Sequence, residues 1–241
     1  MFRSMAITLT LCLATITAQA SLVGRAPLTP NGTDYQAYYD DVLGITWVAD
    51  ANLARTSGYD ADGLMTWVAA QGWIASLNTA NYLGRNNWRL PTVADTGTSG
   101  CNFAYTGTDC GYNVELATSE MAHLYYATST AGLGNTGYYN TSGNPTGCPA
   151  GPGYCLNNVG PFSNLQAWSY WSGTQYVSTP GRAWSFYFSH GYQDLDFSEG
   201  DSLHAWAVLP GDISVVPVSP AVWLFDSALG LMGVMRRKIT S

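Results

Sequence analysis

Apolar residues recur at helical spacing in two stretches of the chain. In the first stretch, Thr66 to Leu77, the apolar residues at intervals of three and four are Trp67, Ala70, Ile74 and Leu77. In the second stretch, Thr118 to Tyr126, they are Met121, Leu124 and Tyr125. Such intervals place side chains on one face of a helix, so the pattern predicts two amphipathic helices, with Thr66 as the N-cap of the first.

Strand-like segments lie before and after these helices. Residues 44–49 are predicted to form an early strand, and residues 169–174, 183–188 and 204–209 are aromatic-rich runs separated by Gly, Pro and Asp turns. Residues 132–160 show no regular period. One early strand, two helices, long loops and late antiparallel strands together predict an α+β domain.

The first 20 residues have the composition of a secretory signal peptide. Arg3 supplies a positive charge, residues 5–17 form an apolar run, and Ala18 and Ala20 fit the small-x-small pattern that precedes a cleavage site. We expect signal peptidase to cleave before Ser21. The exported domain then spans about residues 21–212.

The end of the chain, residues 213–241, combines a proline-containing signature, an apolar run at 221–235 and a basic cluster. The signature contains Pro217, Pro220 and Trp223, and the cluster is Arg236, Arg237 and Lys238. The apolar run is shorter than the roughly 20 residues of a stable membrane span, and a basic cluster fits a stop at the cytoplasmic face. The alternative is a buried C-terminal helix of a globular domain.

This arrangement resembles the PEP-CTERM sorting tails of Gram-negative bacteria. The resemblance implies a short transmembrane-like helix, recognition by an exosortase-type membrane protease, and transient anchoring in the inner membrane. The exported protein would then reach the cell surface or the extracellular matrix.

Because the protein is expected to be exported, its cysteines are expected to form structural disulfides. Cys12 leaves with the signal peptide, and the even set that remains is Cys101, Cys110, Cys148 and Cys155. Two disulfides are expected in an oxidising compartment. Of the possible pairings we favour the sequence-local one, Cys101 with Cys110 and Cys148 with Cys155. A structural zinc site is the alternative, but the pairs lack C-x-x-C spacing and no histidine stands near them.

Composition excludes several classes of function. Charged residues make up only 10% of the chain, and the formal net charge is -7. Nucleic acid is excluded as a partner, because the sequence contains no Lys/Arg stripe of the kind that phosphate recognition requires. The sequence also contains no G-x-S-x-G, H-E-x-x-H or glycine-rich phosphate-binding motif, so it predicts no enzyme active site.

Two groups of residues are candidates for ligand contacts. Acidic side chains crowd a turn-rich stretch at Asp194, Asp196, Glu199 and Asp201, and oxygen ligands on a loop suit calcium, which is the one candidate cofactor. The alternative is a solvated acidic hairpin. Tyr138 and Tyr139, in a Gly/Asn-rich loop, are the candidates for exposed contacts with sugar rings, whereas Trp67, Trp73, Trp171 and Trp184 are expected in the core.

Arg89 is predicted to have a structural role. It lies among Trp88, Leu90 and Pro91 in a chain with few charges, so its guanidinium needs a carboxylate partner. Glu120, or an acid of the 194–201 stretch, is expected to hold it through a bidentate pair.

An ordered set of short motifs resembles the Lcl C-terminal domain family over nearly the whole exported domain. The motifs are Tyr39-Asp-Asp-Val-Leu-Gly-Ile-Thr-Trp, Asp50-Ala-Asn, Gly58-Tyr-Asp-Ala-Asp-Gly, Asn87-Trp-Arg-Leu-Pro-Thr-Val, Ser119-Glu-Met, Tyr170-Trp-Ser-Gly-Thr-Gln-Tyr, Ala183-Trp-Ser-Phe-Tyr-Phe and Ala205-Trp-Ala-Val. The resemblance implies a C-type-lectin-like fold and an adhesin-type domain, which in the family's namesake binds sulfated polysaccharides. Leu209 departs from the family pattern, in which an arginine is expected.

Three functions follow as expectations. The first is a surface- or matrix-associated binding and adhesion module for polysaccharide or a surface protein, with micromolar or weaker contacts. The second is a structural matrix protein without a discrete ligand. The third is an enzyme of unknown reaction, for which the sequence supplies no catalytic set of residues.

Overall fold

The computed structural model describes residues 22–95, 109–112, 114–127, 133, 156 and 158–213. The first sheet has the order β1-β2-β3-β8, with strands β1 Leu22–Pro27, β2 Tyr35–Asp40, β3 Ile45–Val48 and β8 Val208–Pro210. The second has the order β4-β7-β6-β5, with strands β4 Gly111–Tyr112, β5 Ser169–Gln175, β6 Arg182–Tyr187 and β7 Tyr192–Phe197. The helices are α1 Leu53–Thr56, α2 Trp67–Thr79 and α3 Glu120–Tyr126.

All strand pairs within the two sheets are antiparallel. Helices mixed with antiparallel sheets confirm the predicted α+β class. None of the helices in the described part of the chain is both long and apolar enough to cross a membrane.

Helix α2 forms where the apolar period predicts it. The hydroxyl oxygen of Thr66 accepts a hydrogen bond from the backbone N–H of Ala69 at 3.3 Å, which satisfies one of the donors left free at a helix start. The buried face consists of Ala70, Trp73, Ile74 and Leu77. The structure therefore confirms the predicted N-cap and most of the predicted face, and it leaves Trp67 half-buried at the first position.

Helix α3 begins at Glu120, two residues later than predicted. Residues 116–118 form a turn of 3₁₀ helix, and Ser119 then acts as the N-cap by accepting from the N–H of Ala122 at 3.2 Å. Ser119 also pairs with Val93 in an isolated antiparallel bridge, which holds the helix start against the preceding loop. The buried face consists of the predicted Met121, Leu124 and Tyr125, together with Ala122.

The strands differ more from the predictions than the helices do. β1 and β2 were not predicted, and the acidic stretch that follows residue 192 is extended up to Phe197 instead of forming a turn throughout. Of the predicted strand at 204–209, only Val208 and Leu209 belong to β8. Leu209 lies opposite Thr46 and is 2% exposed, so an apolar side chain fits this position.

Residues 203–210, here called the joining segment, connect the two sheets. Leu203 exchanges two backbone hydrogen bonds with Met65, at 2.9 and 3.0 Å. His204 then accepts from the N–H of Trp171 in β5, whereas Val208 exchanges hydrogen bonds with Arg89. The segment therefore changes partners along its length, from the second sheet to the first.

Trp206 occupies the centre of the joining segment and of the core. Its side chain is fully buried, and its indole Nε1–H donates to the carbonyl oxygen of Val48 in β3 at 2.8 Å. Its ring centroid lies 4.9 Å from that of Trp47 and 4.8 Å from that of Phe162. The buried aromatic cluster thus attaches the joining segment to the first sheet. The predicted burial of Trp73, Trp171 and Trp184 is confirmed.

A bidentate ion pair links the chain after α2 to helix α3. Arg89 donates from Nη2 to Oε1 of Glu120 at 2.6 Å and from Nη1 to Oε2 at 2.8 Å. Oε2 also accepts from the backbone N–H of Thr92 at 2.7 Å. Of the two kinds of partner considered from the sequence, the structure brings Glu120, and not an acid of the 194–201 stretch, to Arg89.

Several predicted features lie outside the described residues. They are the signal peptide at 1–20, the tail beyond Ile213, Cys101, Cys148, Cys155, Tyr138 and Tyr139. Cys110 is described and buried, with its Sγ 3.4 Å from the carbonyl oxygen of Gln193. The disulfide pairing and the loop contacts therefore stay predictions.

Replacing Trp206 by Phe is expected to destabilise the protein more than replacing Trp47 by Phe. Both rings are fully buried, but Nε1 of Trp47 has no hydrogen-bond partner among the described residues. Trp206→Phe also leaves the carbonyl oxygen of Val48 without its indole donor, which costs about 1–2 kcal/mol beyond the lost volume. Urea unfolding measures both free energies, and equal losses would contradict this role of Trp206.

Replacing Glu120 by Gln is expected to lower the free energy of unfolding by about 1–3 kcal/mol, because it leaves the Arg89 guanidinium without a charged partner. Glu115→Gln is the matched control, since Glu115 is exposed and lies one turn before α3. It should change stability by no more than about 0.5 kcal/mol. A double-mutant cycle with Arg89→Met checks the coupling, and additive effects of the two changes would show that the pair contributes nothing.

Candidate functional site

One face of the second sheet collects polar and aromatic side chains. Side chains alternate across a strand, and the register places Tyr192 opposite both Tyr112 and Tyr187, and Asp194 opposite Ser185. We call this surface the acidic–aromatic face. It consists of Tyr112, Ser185, Tyr187, Tyr192, Asp194 and Asp196, together with His190 from the turn between β6 and β7.

The two carboxylates of this face have different partners. Asp196 accepts hydrogen bonds from the hydroxyls of Ser185 and Tyr187, the phenol oxygen lying 3.2 and 3.4 Å from its two oxygens. Asp194 accepts from the backbone N–H of Leu195 at 2.8 Å. Both side chains are half-buried, so two negative charges lie side by side on one strand and partly out of water.

Burial shifts the pKa values of the ionisable side chains on this face. It raises the pKa of Asp194 to about 6, with the neighbouring Asp196 charge adding to the effect. Burial also raises the pKa of Asp196, although hydrogen bonds from Ser185 and Tyr187 act in the opposite direction. The pKa of both tyrosine phenols, Tyr187 and Tyr192, is raised by burial and by these carboxylates, so they remain neutral hydrogen-bond donors.

The aromatic members pack against one another at the edge of the sheet. The ring centroids of Tyr112 and Tyr192 lie 4.8 Å apart, and His190 stacks on Tyr192 at 5.8 Å with an interplanar angle of 19°. Tyr187 contacts His190 at 5.4 Å. Burial lowers the pKa of His190 to about 4, so the imidazole is neutral at physiological pH.

The pair formed by Ser189 and His190 resembles a nucleophile with its base, but its burial excludes that role. The serine Oγ lies 2.6 Å from Nδ1 of His190. Ser189 itself has no exposed surface, so a substrate has no access to the hydroxyl. The contact therefore orients the imidazole beside the tyrosines.

The four acids of the candidate calcium site are divided between β7 and the residues after it. Asp194 and Asp196 lie within β7, whereas Glu199 and Asp201 lie in the turn that follows, where Asp201 accepts from the N–H of Phe197 at 2.7 Å. In the described ranges, no group of three or more His, Cys, Asp or Glu side chains comes together as metal ligands would. The arrangement therefore does not support the candidate calcium site, which stays a prediction that the structure does not test.

A separate cavity of about 350 Å³ lies beside the start of α3. Its lining is Leu43, Thr92, Val93, Ala94, Leu116, Ala117, Thr118, Ser119 and Glu120. The carboxylate of Glu120 is already engaged by Arg89 and Thr92, so this cavity contains few side-chain groups free to hold a ligand.

Sequence reasoning found the two acidic members of the acidic–aromatic face but not their neighbours. The missed signal is the alternation Tyr192-Gln-Asp-Leu-Asp, in which residues 192, 194 and 196 have the period of a strand. Tyr187 and Ser185 join them only through the pairing of β6 with β7. A search for loop ligands could not detect this set.

Comparison with known proteins identifies the family of the domain. The family model of the Lcl C-terminal domain matches residues 36–209, which include the acidic–aromatic face and the joining segment up to Leu209. No curated protein and no solved structure gives a significant match. Because the match covers well over half of the chain, the protein belongs to the Lcl C-terminal domain family.

Proposed function

We propose that this protein is an exported, surface- or matrix-associated binding module that recognises polysaccharide. The acidic–aromatic face is the observation that carries the proposal. Aromatic rings offer flat apolar surfaces to sugar rings, and carboxylates and phenols at their edges can accept or donate hydrogen bonds to sugar hydroxyls. A set of this kind on a rigid sheet suits the binding of a sugar surface.

The shape of the face sets the expected affinity. Tyr192 and Ser185 are buried, so the partly exposed members Tyr112, Tyr187, His190, Asp194 and Asp196 offer contact to only part of a sugar unit. We expect micromolar or weaker binding per site, strengthened when many copies meet one polymer.

The two ends of the sequence support the exported location. The signal-peptide pattern of residues 1–20 and the tail with Pro217, Pro220 and Trp223 are those of a protein that is processed at both ends. Two local disulfides, between Cys101 and Cys110 and between Cys148 and Cys155, fit an oxidising compartment. A C-type-lectin-like fold is the corresponding proposal for the domain, and the antiparallel sheets with flanking helices α2 and α3 support it.

Binding to glycans is expected to depend on the acidic–aromatic face. The purified full chain is titrated with the extracellular polysaccharide of its producer and with a panel of neutral, amino and sulfated oligosaccharides. Tyr112→Leu should weaken saturable binding about tenfold, because it removes a partly exposed ring of the face worth roughly 1–1.5 kcal/mol of sugar contact. Tyr59→Leu is the matched control, since Tyr59 is 49% exposed and lies before α2, outside the face.

Equal weakening by both tyrosine variants would remove the face as the site. Absence of binding to every glycan would instead favour the structural matrix role.

Processing is expected at both ends when the full chain is expressed in a host with a compatible exosortase. Mass spectrometry should find an N-terminus at Ser21 and loss of the terminal Arg236-Arg237-Lys238 segment. Ala20→Arg should block the first cleavage, because signal peptidase requires a small residue before the cut. Ala61→Arg, at an exposed position inside the domain, should leave the cleavage position unchanged. A product that begins at Met1 in the wild type would contradict export.

A further inference from the structure

The turn between α1 and α2 brings two carboxylates together. Asp60 accepts hydrogen bonds from the backbone N–H groups of Asp62 and Gly63, at 3.1 and 2.7 Å. Asp62 accepts from the N–H of Leu64 at 2.9 Å. This bond lowers the pKa of Asp62, and a hydrogen-bond contact with the Asp60 carboxyl lowers it further. The two carboxyls therefore lie against each other, and neither forms an ion pair within the described chain.

A third oxygen points at the same turn. Asn52 is 2% exposed, and its Oδ1 is buried with no hydrogen-bond partner among the described residues. A Cβ added to Gly63 would lie 2.1 Å from this oxygen, so the amide is aimed at the turn. Asp60 accepts the N–H of the same glycine. The amide oxygen and the Asp60 carboxylate therefore both approach Gly63, whose positive φ of 81° favours glycine.

Asn52 does not use its side chain to cap the helix that follows. It is the N-cap residue of α1, where an Asn ordinarily accepts a hydrogen bond from an N–H of the first turn. Its side chain makes no such bond. Leaving a buried acceptor unpaired is unfavourable, and ionised carboxylates contain no donor that could pair with it. A cation can satisfy all three side chains at once, because it attracts amide oxygens as well as carboxylates.

The basic residues near the turn do not supply this positive charge. His204 attracts Asp62, but burial lowers the pKa of this histidine, so its imidazole is largely neutral at physiological pH. The side chain of Arg55 is exposed and forms no ion pair in the part of the chain that the structure describes. The carboxylate pair therefore keeps most of its negative charge.

We propose that Asn52, Asp60 and Asp62 bind a divalent cation of the calcium type. Carboxylate and amide carbonyl oxygens are the ligands that calcium prefers, and water completes its shell of about six to eight oxygens. A positive ion between contacting carboxylates also offsets their mutual repulsion. The site has two acids and one amide, and it lies on other elements than the acidic–aromatic face. It does not depend on the proposed binding of glycans.

A cation at this position would connect α1 to the chain that leads into α2. The N–H of Asp60 already donates to the carbonyl oxygen of Ala54 in α1 at 3.0 Å. Just after the turn, Met65 exchanges its two hydrogen bonds with Leu203 of the joining segment. Because a ligand that binds only the folded state raises stability, calcium is expected to stabilise the domain through this turn.

The first test is thermal unfolding of the purified full chain in EDTA, in calcium and in magnesium at constant ionic strength. With a dissociation constant on the order of 0.1–1 mM, as in extracellular calcium modules, about 10 mM calcium should raise the unfolding midpoint by roughly 3–10 °C. Magnesium should give a smaller shift, because it requires shorter bonds and octahedral geometry. No shift with calcium, or an equal shift with magnesium, would overturn the proposal.

The second test removes one charge at different positions. Asp60→Asn and Asp62→Asn keep an oxygen that can accept the backbone N–H groups, and each should weaken calcium binding at least about tenfold in a calcium titration of the midpoint. Glu199→Gln is the matched control, since it removes an exposed charge from the acidic stretch at 194–201 and should leave the titration unchanged. Equal weakening by all three variants would indicate general charge attraction. Loss of the shift only in Glu199→Gln would assign calcium to the other stretch. Either result would overturn the site.

The third test distinguishes a cation ligand from a structural amide. Asn52→Leu replaces the amide with an apolar group of similar size. In EDTA this variant should unfold at the wild-type midpoint or above it, because it removes a buried acceptor that has no donor. The increase caused by calcium should disappear. A variant that is less stable in EDTA and still shows the full calcium shift would prove a structural role for Asn52 and overturn the proposed site.

Discussion

The burial of the joining segment, residues 203–210, between the two sheets is the constraint on which the rest of the structure depends. The segment hydrogen-bonds first to Met65 and β5 and then to Arg89 and β3. Its centre, Trp206, is fully buried against Trp47 and donates to the backbone of β3. Because one short segment satisfies backbone groups on both sides, the two sheets cannot move apart without exposing unpaired polar groups in the core.

The pairing of β6 with β7 explains why polar side chains gather on one face of the second sheet. β6 and β7 pair over their full lengths, and that pairing turns an alternating sequence into one continuous surface. The surface carries two carboxylates whose charged forms are disfavoured by burial, and the hydroxyls of Ser185 and Tyr187 offset only part of this cost.

The helices could be predicted because their signals are local. In α2 the apolar period and the Thr66 cap lie within one segment, and the structure agrees with both. β1 could not be recognised in the same way, since Gly24 and Pro27 are residue types that favour turns over strands. It is a strand because the neighbouring β2 supplies its hydrogen-bond partners. Similarly, Asp194 and Asp196 are poor strand residues that become extended only through pairing with β6.

The sequence by itself determined the class of the protein: an α+β domain with few charges, two amphipathic helices, an aromatic core and an Arg89 that requires a carboxylate. Each of these features depends on residue type and on spacing within one segment, and not on contacts between distant segments. Tertiary structure decided which carboxylate Arg89 meets, and it placed Asp194 and Asp196 in a strand instead of in one loop with Glu199 and Asp201. It also placed Tyr187 and Tyr192 beside Asp194 and Asp196, because cross-strand register depends on contacts between segments and not on the order of residues within one of them.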